Sequence, residues 1–330
     1  PALGMTAIVP DMDASRPAQA DPRKLVEAIE DWGATNMFGS PALIDRLGRH
    51  GEAAGVKLPS LRRVLSAGAP VQARVIERFS RMLAPGVEVF TPYGATESLP
   101  VASAGSKELL SPEIRSRTER GLGICVGKPV PGTRVRVIRI TDAPIERWSD
   151  DLELPRGETG EIVVSGPVVT RAYFNRDEAT RLAKIAVPGT DEVVHRMGDV
   201  GYLDEEGRLW FCGRKVHRVE TAEGTLFTIP CEGVFNVHPH VKRTALVGLG
   251  GGAAGGKKRP ALCVELDPEA GPIPLERLRS ELAALGAQHA HTRAIATFLV
   301  HPAFPVDIRH NAKIFRDRLA AWAEGQAARA

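Results

Sequence analysis

Several features that identify other protein classes are missing from this sequence of 330 residues. Its four cysteines are far apart and include no C-x-x-C pair, so we expect reduced, mostly buried thiols rather than a zinc site or a disulfide framework. They are Cys125, Cys212, Cys231 and Cys263. No apolar run approaches the roughly 18 residues of a membrane-spanning helix, and no secretory signal peptide is visible. We therefore expect a cytoplasmic protein without a membrane span.

A strong excess of either charge is also missing. The chain has 43 lysines and arginines against 40 aspartates and glutamates, and a net charge of +3 is too small to indicate a nucleic-acid partner. The G-x-S-x-G elbow of serine hydrolases is absent. What remains is the composition of an ordinary globular protein, 43% hydrophobic and 25% charged, with a length that suits two domains.

The first part of the chain has the pattern of an α/β fold. A helix is predicted from Pro22 to Gly33, with Leu25, Ile29 and Trp32 on one apolar face. Further predicted elements are a strand at 62–68, a helix at 71–82 and a strand at 87–90. The order strand, helix, strand predicts a parallel pair, whose ligands bind beyond the carboxyl ends of the strands.

From about residue 121 the pattern becomes antiparallel. Alternating segments at 134–140 and 161–165 predict strands, and 202–210 predicts a hairpin that turns at Glu205–Gly207. Past Arg214 the chain restarts as a compact α+β domain. Its predicted elements are strands at 241–249, 259–267 and 292–300, a helix at 275–285 and a closing helix after Lys313. We therefore predict two domains, residues 1–213 and 214–330.

Three short motifs carry the groups that a nucleotide site needs. The first is Thr91-Pro-Tyr-Gly-Ala-Thr-Glu97, together with Ser66-Ala-Gly-Ala-Pro70 after the neighbouring predicted strand. The second is His195-Arg-Met-Gly-Asp199, followed by Gly213-Arg214. The third is Arg309-His-Asn-Ala-Lys-Ile314. They supply a flat ring, glycines that expose the backbone, a hydroxyl, two carboxylates and a cation.

In this order the motifs resemble those of the AMP-forming adenylate-forming enzymes, the acyl-CoA synthetase and luciferase superfamily. The resemblance covers essentially the whole chain. It implies an α/β fold, the latter part of a large domain with mixed sheets and helices, followed by a small, mobile α+β lid domain. It also implies an enzyme that activates a carboxylate with ATP and Mg²⁺.

The resemblance assigns nucleotide contacts to the first two motifs. Tyr93 would pack on the adenine ring, where neighbouring glycine and alanine residues let the backbone approach. The remaining residues of this set are Gly68, Ala69, Pro70, Gly94 and Ala95. Asp199 would grip the ribose hydroxyls, and Arg214 would reach the same ribose.

Three residues receive catalytic roles from the resemblance. Thr96 would bond the α-phosphate, and Glu97 would hold Mg²⁺, a cation that prefers one or two carboxylates plus phosphate oxygens. Lys313 would bridge the substrate carboxylate and the α-phosphate, where a positioned cation stabilises the charge that builds up. The family usually has glycine before this lysine, and this chain has Ala312.

Two of the motifs admit other interpretations. His195 and Asp199 also form H-x-x-x-D, the general-base signature of a class of acyltransferases, but Val200 stands where those enzymes place glycine. The segment from Gly251 to Lys258 fits a phosphate-loop spacing, but its last residue is lysine instead of serine or threonine. It also joins two predicted strands instead of leading into a helix. We interpret it as a flexible glycine loop.

The chain departs from the family pattern in two places. The Ser/Thr/Gly-rich loop that grips the β- and γ-phosphates is not found. We expect it upstream of Pro1, and without it we expect no acyl-AMP formation by this chain alone. After Arg214, Val216 takes the usual hinge position and Glu220 takes a lysine position in the loop that helps to form the CoA channel. An acidic group disfavours a polyanionic ligand, so we expect no transfer to CoA.

Three runs point to one branch of the family. The segments 35–43, 93–102 and 309–314 resemble the branch that forms β-lactones in bacterial long-chain olefin biosynthesis. That resemblance implies a 2-alkyl-3-hydroxy fatty acid as substrate and other enzymes of the olefin pathway as partners. The substrate's own 3-hydroxyl would attack the adenylate and expel AMP. Two alternatives stay open: a fatty acyl-CoA or acyl-AMP ligase, and a truncated nucleotide-binding module without turnover.

Overall fold

The computed structural model describes residues 4–13, 15–250, 256–307 and 313–328. These residues fall into two compact units. The first unit is drawn from 1–93, 103–115 and 306–314, and the second from 94–102, 116–305 and 315–330. The domain boundary predicted between residues 213 and 214 stays a prediction.

The first unit contains a parallel sheet with helices. Its elements are α1 (Pro22–Asp31), β1 (Asn36–Gly39), α2 (Pro41–Ala54), β2 (Arg63–Ser66), α3 (Ala73–Ser80), the start of β3 (Val89–Ala95), the end of β4 (Ser98–Gly105), and α4 (Ser106–Leu109). Strand β2 pairs in parallel with both β1 and β3. The parallel pair predicted from the order strand, helix, strand is therefore confirmed.

Local sequence explains where the first helix begins and ends. The Asp21 side chain caps α1 by accepting a hydrogen bond from the Arg23 backbone N–H, which would otherwise lack a partner. Leu25 and Ile29 are buried, as predicted. The prediction for Trp32 was wrong, because this side chain is 72% exposed. Helix α1 ends one residue earlier, so the ring lies beyond the buried face.

The core of the first unit lies between these helices and one face of the sheet. Fully burying one leucine, isoleucine or phenylalanine side chain stabilises the folded state by about 1.5–3 kcal/mol. Its largest fully enclosed members are Ile44, Leu47, Leu58, Leu61, Ile76 and Phe79. The predicted helix at 71–82 supplies two of them and is observed as α3. Packing of α2 against α3 therefore fixes the helical layer beside the strands.

The second unit is built on an antiparallel sheet. After α5 (Pro112–Glu119), which begins in the first unit, its elements are β5 (Ile124–Pro129), β6 (Arg134–Ile138), β7 (Gly160–Ser165), α6 (Asp177–Ala183), β8 (Lys184–Ala186), β9 (Val193–Leu203) and β10 (Leu209–Arg214). The strands pair in the order β5-β10-β9-β7-β6, and β8 also pairs with β9. The antiparallel pattern predicted after residue 121 is confirmed.

Strands β9 and β10 form the predicted hairpin. The Asp204 N–H donates to the Arg208 carbonyl at 3.0 Å, and the Gly207 N–H donates to the Asp204 carbonyl at 3.0 Å. Gly207 has a φ of 76°, which favours glycine. The register of this hairpin sets Arg214 opposite Asp199. Two predicted site residues are thus brought together by a local element.

The last part of the second unit has its own small sheet. Its elements are β11 (Val219–Thr221), β12 (Gly224–Leu226), α7 (Thr228–Phe235), β13 (Val241–Leu249), β14 (Arg259–Leu266), α8 (Leu275–Ala287), β15 (Thr297–Val300) and α9 (Arg316–Ala327). Strand β14 pairs antiparallel with β13 and parallel with β15. The strand predicted at 292–300 is shorter than expected. Thr292 belongs to the turn before it, where its hydroxyl donates to the Gly286 carbonyl at 2.8 Å.

Other sequence predictions have mixed outcomes. All four cysteines are buried, as predicted. Over the described ranges, no helix is long and apolar enough to cross a membrane.

The glycine loop does join two antiparallel strands, although residues 251–255 lie outside the described residues. His238 is buried, with 2.8 Å between its Nε2 and Oε2 of Glu281.

Candidate functional site

A two-residue turn, Thr96–Glu97, joins β3 to β4. The preceding residues 93–95 form the end of β3, which corrects the sequence prediction that they follow the strand. Gly94 makes the tight turn possible, because a Cβ there would lie 2.6 Å from the Ser98 carbonyl oxygen. This close approach alone requires glycine. The turn leaves Thr96 exposed and Glu97 half-buried.

Glu97 is held by a segment that is distant in the sequence. The Tyr173 hydroxyl donates to Glu97 Oε1 at 2.6 Å, and the Thr170 backbone N–H donates to the Glu97 carbonyl at 2.8 Å. The hydrogen bond from Tyr173 is the main reason why the pKa of Glu97 lies below its usual value. Burial, followed by the same bond, raises the pKa of Tyr173 to about 12. Glu97 is therefore an anchored carboxylate.

A buried lysine lies beside this pair. Lys184 is 7% exposed, and its ammonium donates to the carbonyl and the hydroxyl of Thr170 at 2.5 and 3.1 Å. The ammonium also lies 5.7 Å from the centre of the Tyr173 ring. Burial lowers the pKa of Lys184 to about 8, while the negative charge of Glu97 opposes that shift. Lys184 thus supplies positive charge behind the Glu97 turn.

His195 is also buried near these charges. Burial and the positive charge of Lys184 lower the pKa of His195 to about 4, so the imidazole is neutral at pH 7. Its Nδ1 lies 3.1 Å from the Ala183 carbonyl, which can only accept, so Nδ1 carries the proton. A ring buried in this way favours a structural role and counts against the acyltransferase interpretation of the H-x-x-x-D spacing.

Asp199 and Arg214 form an ion pair across the hairpin. Arg214 Nη1 lies 2.8 Å from Asp199 Oδ1, and the two side chains are 53% and 6% exposed. The Arg214 charge opposes, as the smallest contribution, the upward shift in the pKa of Tyr173. Glu97, Asp199 and Arg214 all belong to the second unit, and the contact that the structure shows among them is this ion pair.

A buried ionic network lies beneath the ion pair. Arg196 binds the Glu161 carboxylate through two nitrogens at 2.7 and 3.1 Å, and both residues are buried. Lys215 adds a contact of 3.1 Å to the same carboxylate. Because Glu161 lies opposite Val200 in β9, and Lys215 directly follows Arg214, the network fixes the backbone on both sides of the pair.

The other predicted site residues belong to the first unit. Gly68 follows β2 and has a φ of 102°, a conformation that favours glycine, and Ala69 and Pro70 follow it. Tyr93 is half-buried in β3. Lys313 is exposed, and its carbonyl accepts a hydrogen bond of 2.9 Å from the Asp307 N–H. The four motif residues before it, 309–312, lie outside the described residues.

Sequence reasoning missed Tyr173, Lys184 and Thr170. Tyr173 is 76 positions away from Glu97, so no local spacing connects them. The sequence offered only weak signals: Tyr173 is one of three tyrosines, and it lies between Arg171 and Arg176 in a segment without apolar periodicity. Only tertiary structure reveals that it contacts the predicted metal ligand.

The donor set fits a cation that arrives with phosphate groups. Among the described residues, no group of three or more His, Cys, Asp or Glu side chains could hold a metal ion. Mg²⁺ is commonly bound by one or two carboxylates with the remaining ligands from phosphates and water. Glu97, anchored through one oxygen, matches that need. Its role as the metal ligand stays a prediction.

Comparison with known proteins gives the family. The sequence profile described as "AMP-binding enzyme" matches residues 2–174, more than half of the chain. The chain belongs to the AMP-binding enzyme family. The resemblance to adenylate-forming enzymes that the motifs indicated is therefore confirmed. One of the motifs lies within the matched residues 2–174, and the other two lie after them.

Two curated members of the family are similar over nearly the whole chain. An olefin beta-lactone synthetase of Xanthomonas campestris pv. campestris is 53% identical over 329 residues, covering 99% of this chain and 58% of that protein. An olefin beta-lactone synthetase of Stenotrophomonas maltophilia is 51% identical over 335 residues, with the same two coverages, 99% and 58%. The chain thus spans somewhat more than half the length of these relatives.

Solved structures agree on the fold. The amide bond synthetase McbA of Marinactinospora thermotolerans superimposes with a TM-score of 0.72 at 24% identity, covering 92% of this chain and 55% of that one. At this identity the likeness concerns the fold alone. The predicted α/β architecture with mixed sheets and helices is confirmed.

Proposed function

We propose that this chain acts in an ATP-dependent, AMP-forming ligase that activates a 2-alkyl-3-hydroxy fatty acid and then closes it to a β-lactone. The observation that carries the proposal is the 53% identity, over 99% of the chain, to an olefin beta-lactone synthetase. The anchored Glu97 carboxylate and the Asp199–Arg214 pair supply chemistry that suits a nucleotide with its cation.

The first step forms the acyl adenylate. A carboxylate oxygen of the substrate attacks the α-phosphorus, the bond to the bridging oxygen breaks, and pyrophosphate leaves. Glu97 would hold Mg²⁺, which neutralises phosphate charge when it is bound. Thr96 would bond the α-phosphate, and Lys313 would stabilise the negative charge that develops between the two reactants.

Binding of the nucleotide would orient these groups. Asp199 would accept hydrogen bonds from the ribose hydroxyls, and Arg214, already paired with it at 2.8 Å, would hold that carboxylate in place. Tyr93 would pack on the adenine. The backbone around Gly68, Ala69, Pro70, Gly94 and Ala95 would approach the ring.

The second step forms the ring. The substrate's 3-hydroxyl oxygen attacks the acyl carbon, the bond from that carbon to AMP breaks, and the hydroxyl proton passes to solvent. Since the nucleophile is already attached to the electrophile, the effective molarity is high and no second substrate is needed.

A fatty acyl-CoA or acyl-AMP ligase is the second candidate. The acidic Glu220 was the sequence argument against CoA. Its carboxylate accepts hydrogen bonds of 2.9 Å from Arg218 and 2.9 Å from Thr225, so part of its charge is compensated. The loop therefore weighs less against CoA than its sequence indicated. The similarity to the two synthetases then carries the choice.

The test uses the protein expressed from its complete gene. With a 2-alkyl-3-hydroxy acid, ATP and Mg²⁺, it should release AMP and a β-lactone, both detected by mass spectrometry, without CoA. A matched acid that lacks the hydroxyl should give acyl-AMP but no lactone. Efficient thioester formation from a simple fatty acid and CoA would favour the second candidate. Nucleotide binding without AMP release would favour a module without turnover.

Three further statements belong to this proposal. We place the boundary of the small lid domain between residues 213 and 214, with Lys313 on the lid. We propose that other enzymes of the olefin pathway supply the substrate and use the product. We also propose a cytoplasmic site of action, which fractionation of the producing cells would test.

A further inference from the structure

We propose that Tyr173 is a positioning residue that orients the Glu97 carboxylate for its cation. The Tyr173 hydroxyl donates a hydrogen bond to Oε1 of Glu97, and the second carboxylate oxygen then coordinates the metal. The inference rests on the proposed function, since it assumes that Glu97 binds nucleotide-bound Mg²⁺. It adds a residue that the motif pattern did not include.

The contact has the geometry of a strong, charge-assisted hydrogen bond. The distance from Tyr173 Oη to Glu97 Oε1 is 2.6 Å, within the range for O–H···O⁻ bonds. Glu97 lies in a turn between two strands, where a long, flexible side chain has several accessible rotamers. Fixing one carboxylate oxygen removes most of that freedom before a ligand arrives. A metal-binding carboxylate gains affinity from such an outer partner.

Tyr173 is itself fixed in place from several directions. Its backbone N–H donates to the Thr180 hydroxyl at 3.0 Å, at the first turns of α6. The Lys184 ammonium lies 5.7 Å from its ring centre. Thr170, three residues earlier, bonds the Glu97 backbone at 2.8 Å and also accepts from Lys184. The phenol therefore approaches Glu97 from a segment that is docked on the same turn.

A purely structural role for the hydroxyl is less consistent with its surroundings. Tyr173 is only half-buried, and the next residue, Phe174, is 91% exposed. The hydroxyl bonds no backbone group of a neighbouring strand in the contacts that the structure shows. Its partner is the side chain of the predicted metal ligand. Removal of this hydroxyl should therefore affect the cation more than the fold.

The experiment compares Tyr173→Phe with Tyr202→Phe in the protein expressed from its complete gene. Tyr202 is the control because its hydroxyl has other partners than Glu97: it donates to the Leu122 carbonyl at 2.8 Å and accepts from Arg117 Nη2 at 3.5 Å. Calorimetry measures AMP binding in EDTA and the Mg²⁺ concentration at which ATP affinity is half-maximal. Thermal unfolding of each variant reports on the fold.

Tyr173→Phe should raise the Mg²⁺ midpoint by about tenfold or more and leave AMP affinity in EDTA within about twofold. Tyr202→Phe should change neither. In a Glu97→Gln background, Tyr173→Phe should no longer shift the Mg²⁺ midpoint, because the two changes act through one contact.

Three outcomes would overturn the inference alone. Two of them are an unchanged Mg²⁺ midpoint in Tyr173→Phe, and an equal loss of AMP and Mg²⁺-dependent ATP binding, which would make the residue merely structural. If Tyr173→Phe does not fold, the role is structural and the inference is wrong. If the parent protein fails to bind AMP at all, the proposed function is overturned and the inference falls with it.

Discussion

The buried network around Glu161 offers a sharp test of how the site is supported. The change is Glu161→Gln, which keeps the size of the side chain and removes its charge. Arg196 and Lys215 then lose their shared carboxylate, which they contact at 2.7 and 3.1 Å. Two positive charges would remain close together in the interior.

The expected loss is large because little water reaches these groups. The side chains of Glu161 and Arg196 are 1% and 3% exposed, so neither charge can be solvated without local opening. Removing one partner of a buried ion pair costs about 3–5 kcal/mol. Arg196 keeps hydrogen bonds to the carbonyls of Thr141 and Ala143 at 2.6 and 2.8 Å. We therefore expect about 3 kcal/mol, the lower end of that range.

Urea unfolding, followed by tryptophan fluorescence, measures this loss. Trp148 and Trp210 are buried in the same unit and report on it. The control is Glu178→Gln, which breaks a pair with Arg181 whose side chains are 67% and 47% exposed and should leave the urea midpoint nearly unchanged. A loss below about 1 kcal/mol for Glu161→Gln, with an unchanged denaturant slope, would refute the reasoning.

Three other predictions concern the site directly. Lys313→Ala should abolish acid-dependent ATP–pyrophosphate exchange without unfolding the protein, whereas the exposed control Lys107→Ala should keep it; exchange within about tenfold of the parent would contradict the catalytic role. Asp199→Ala should weaken AMP and ATP binding alike, while Glu97→Gln should mainly raise the Mg²⁺ requirement. Calorimetry of nucleotide binding at several Mg²⁺ concentrations distinguishes the two variants. An identical pattern for both would argue against separate ribose and metal roles. Because the pKa of His195 is lowered to about 4, and an unfolded histidine titrates near 6.5, the unfolded state binds the proton first as the pH falls. Stability from this group is therefore complete above about pH 6.5 and decreases toward pH 4, by up to about 1.4 kcal/mol per pH unit. Urea midpoints across that window should fall less steeply for His195→Gln, and an unchanged slope would contradict the burial of a neutral ring.

The sequence alone determined the family and part of the site. The motifs around Glu97, Asp199 and Arg214 indicated adenylate-forming chemistry, and the family match agrees with them. The hairpin that carries Asp199 and Arg214 also follows from local sequence. The turn near Gly207 starts its register, and a one-residue shift between Phe211 and Gly213, which the sequence did not indicate, then puts Arg214 opposite Asp199. Turn chemistry and strand alternation are local properties, so a single sequence can reveal them.

Tertiary structure decided the contacts between distant segments. Tyr173 meets Glu97 across 76 positions, and Glu161 meets Lys215 across 54. No spacing rule connects such residues, because their proximity depends on how whole strands and loops pack. Trp32 shows the same limit: helical periodicity placed it on a buried face, but its actual exposure of 72% depends on where the helix ends. Local patterns identify which groups are present, whereas packing decides which of them touch.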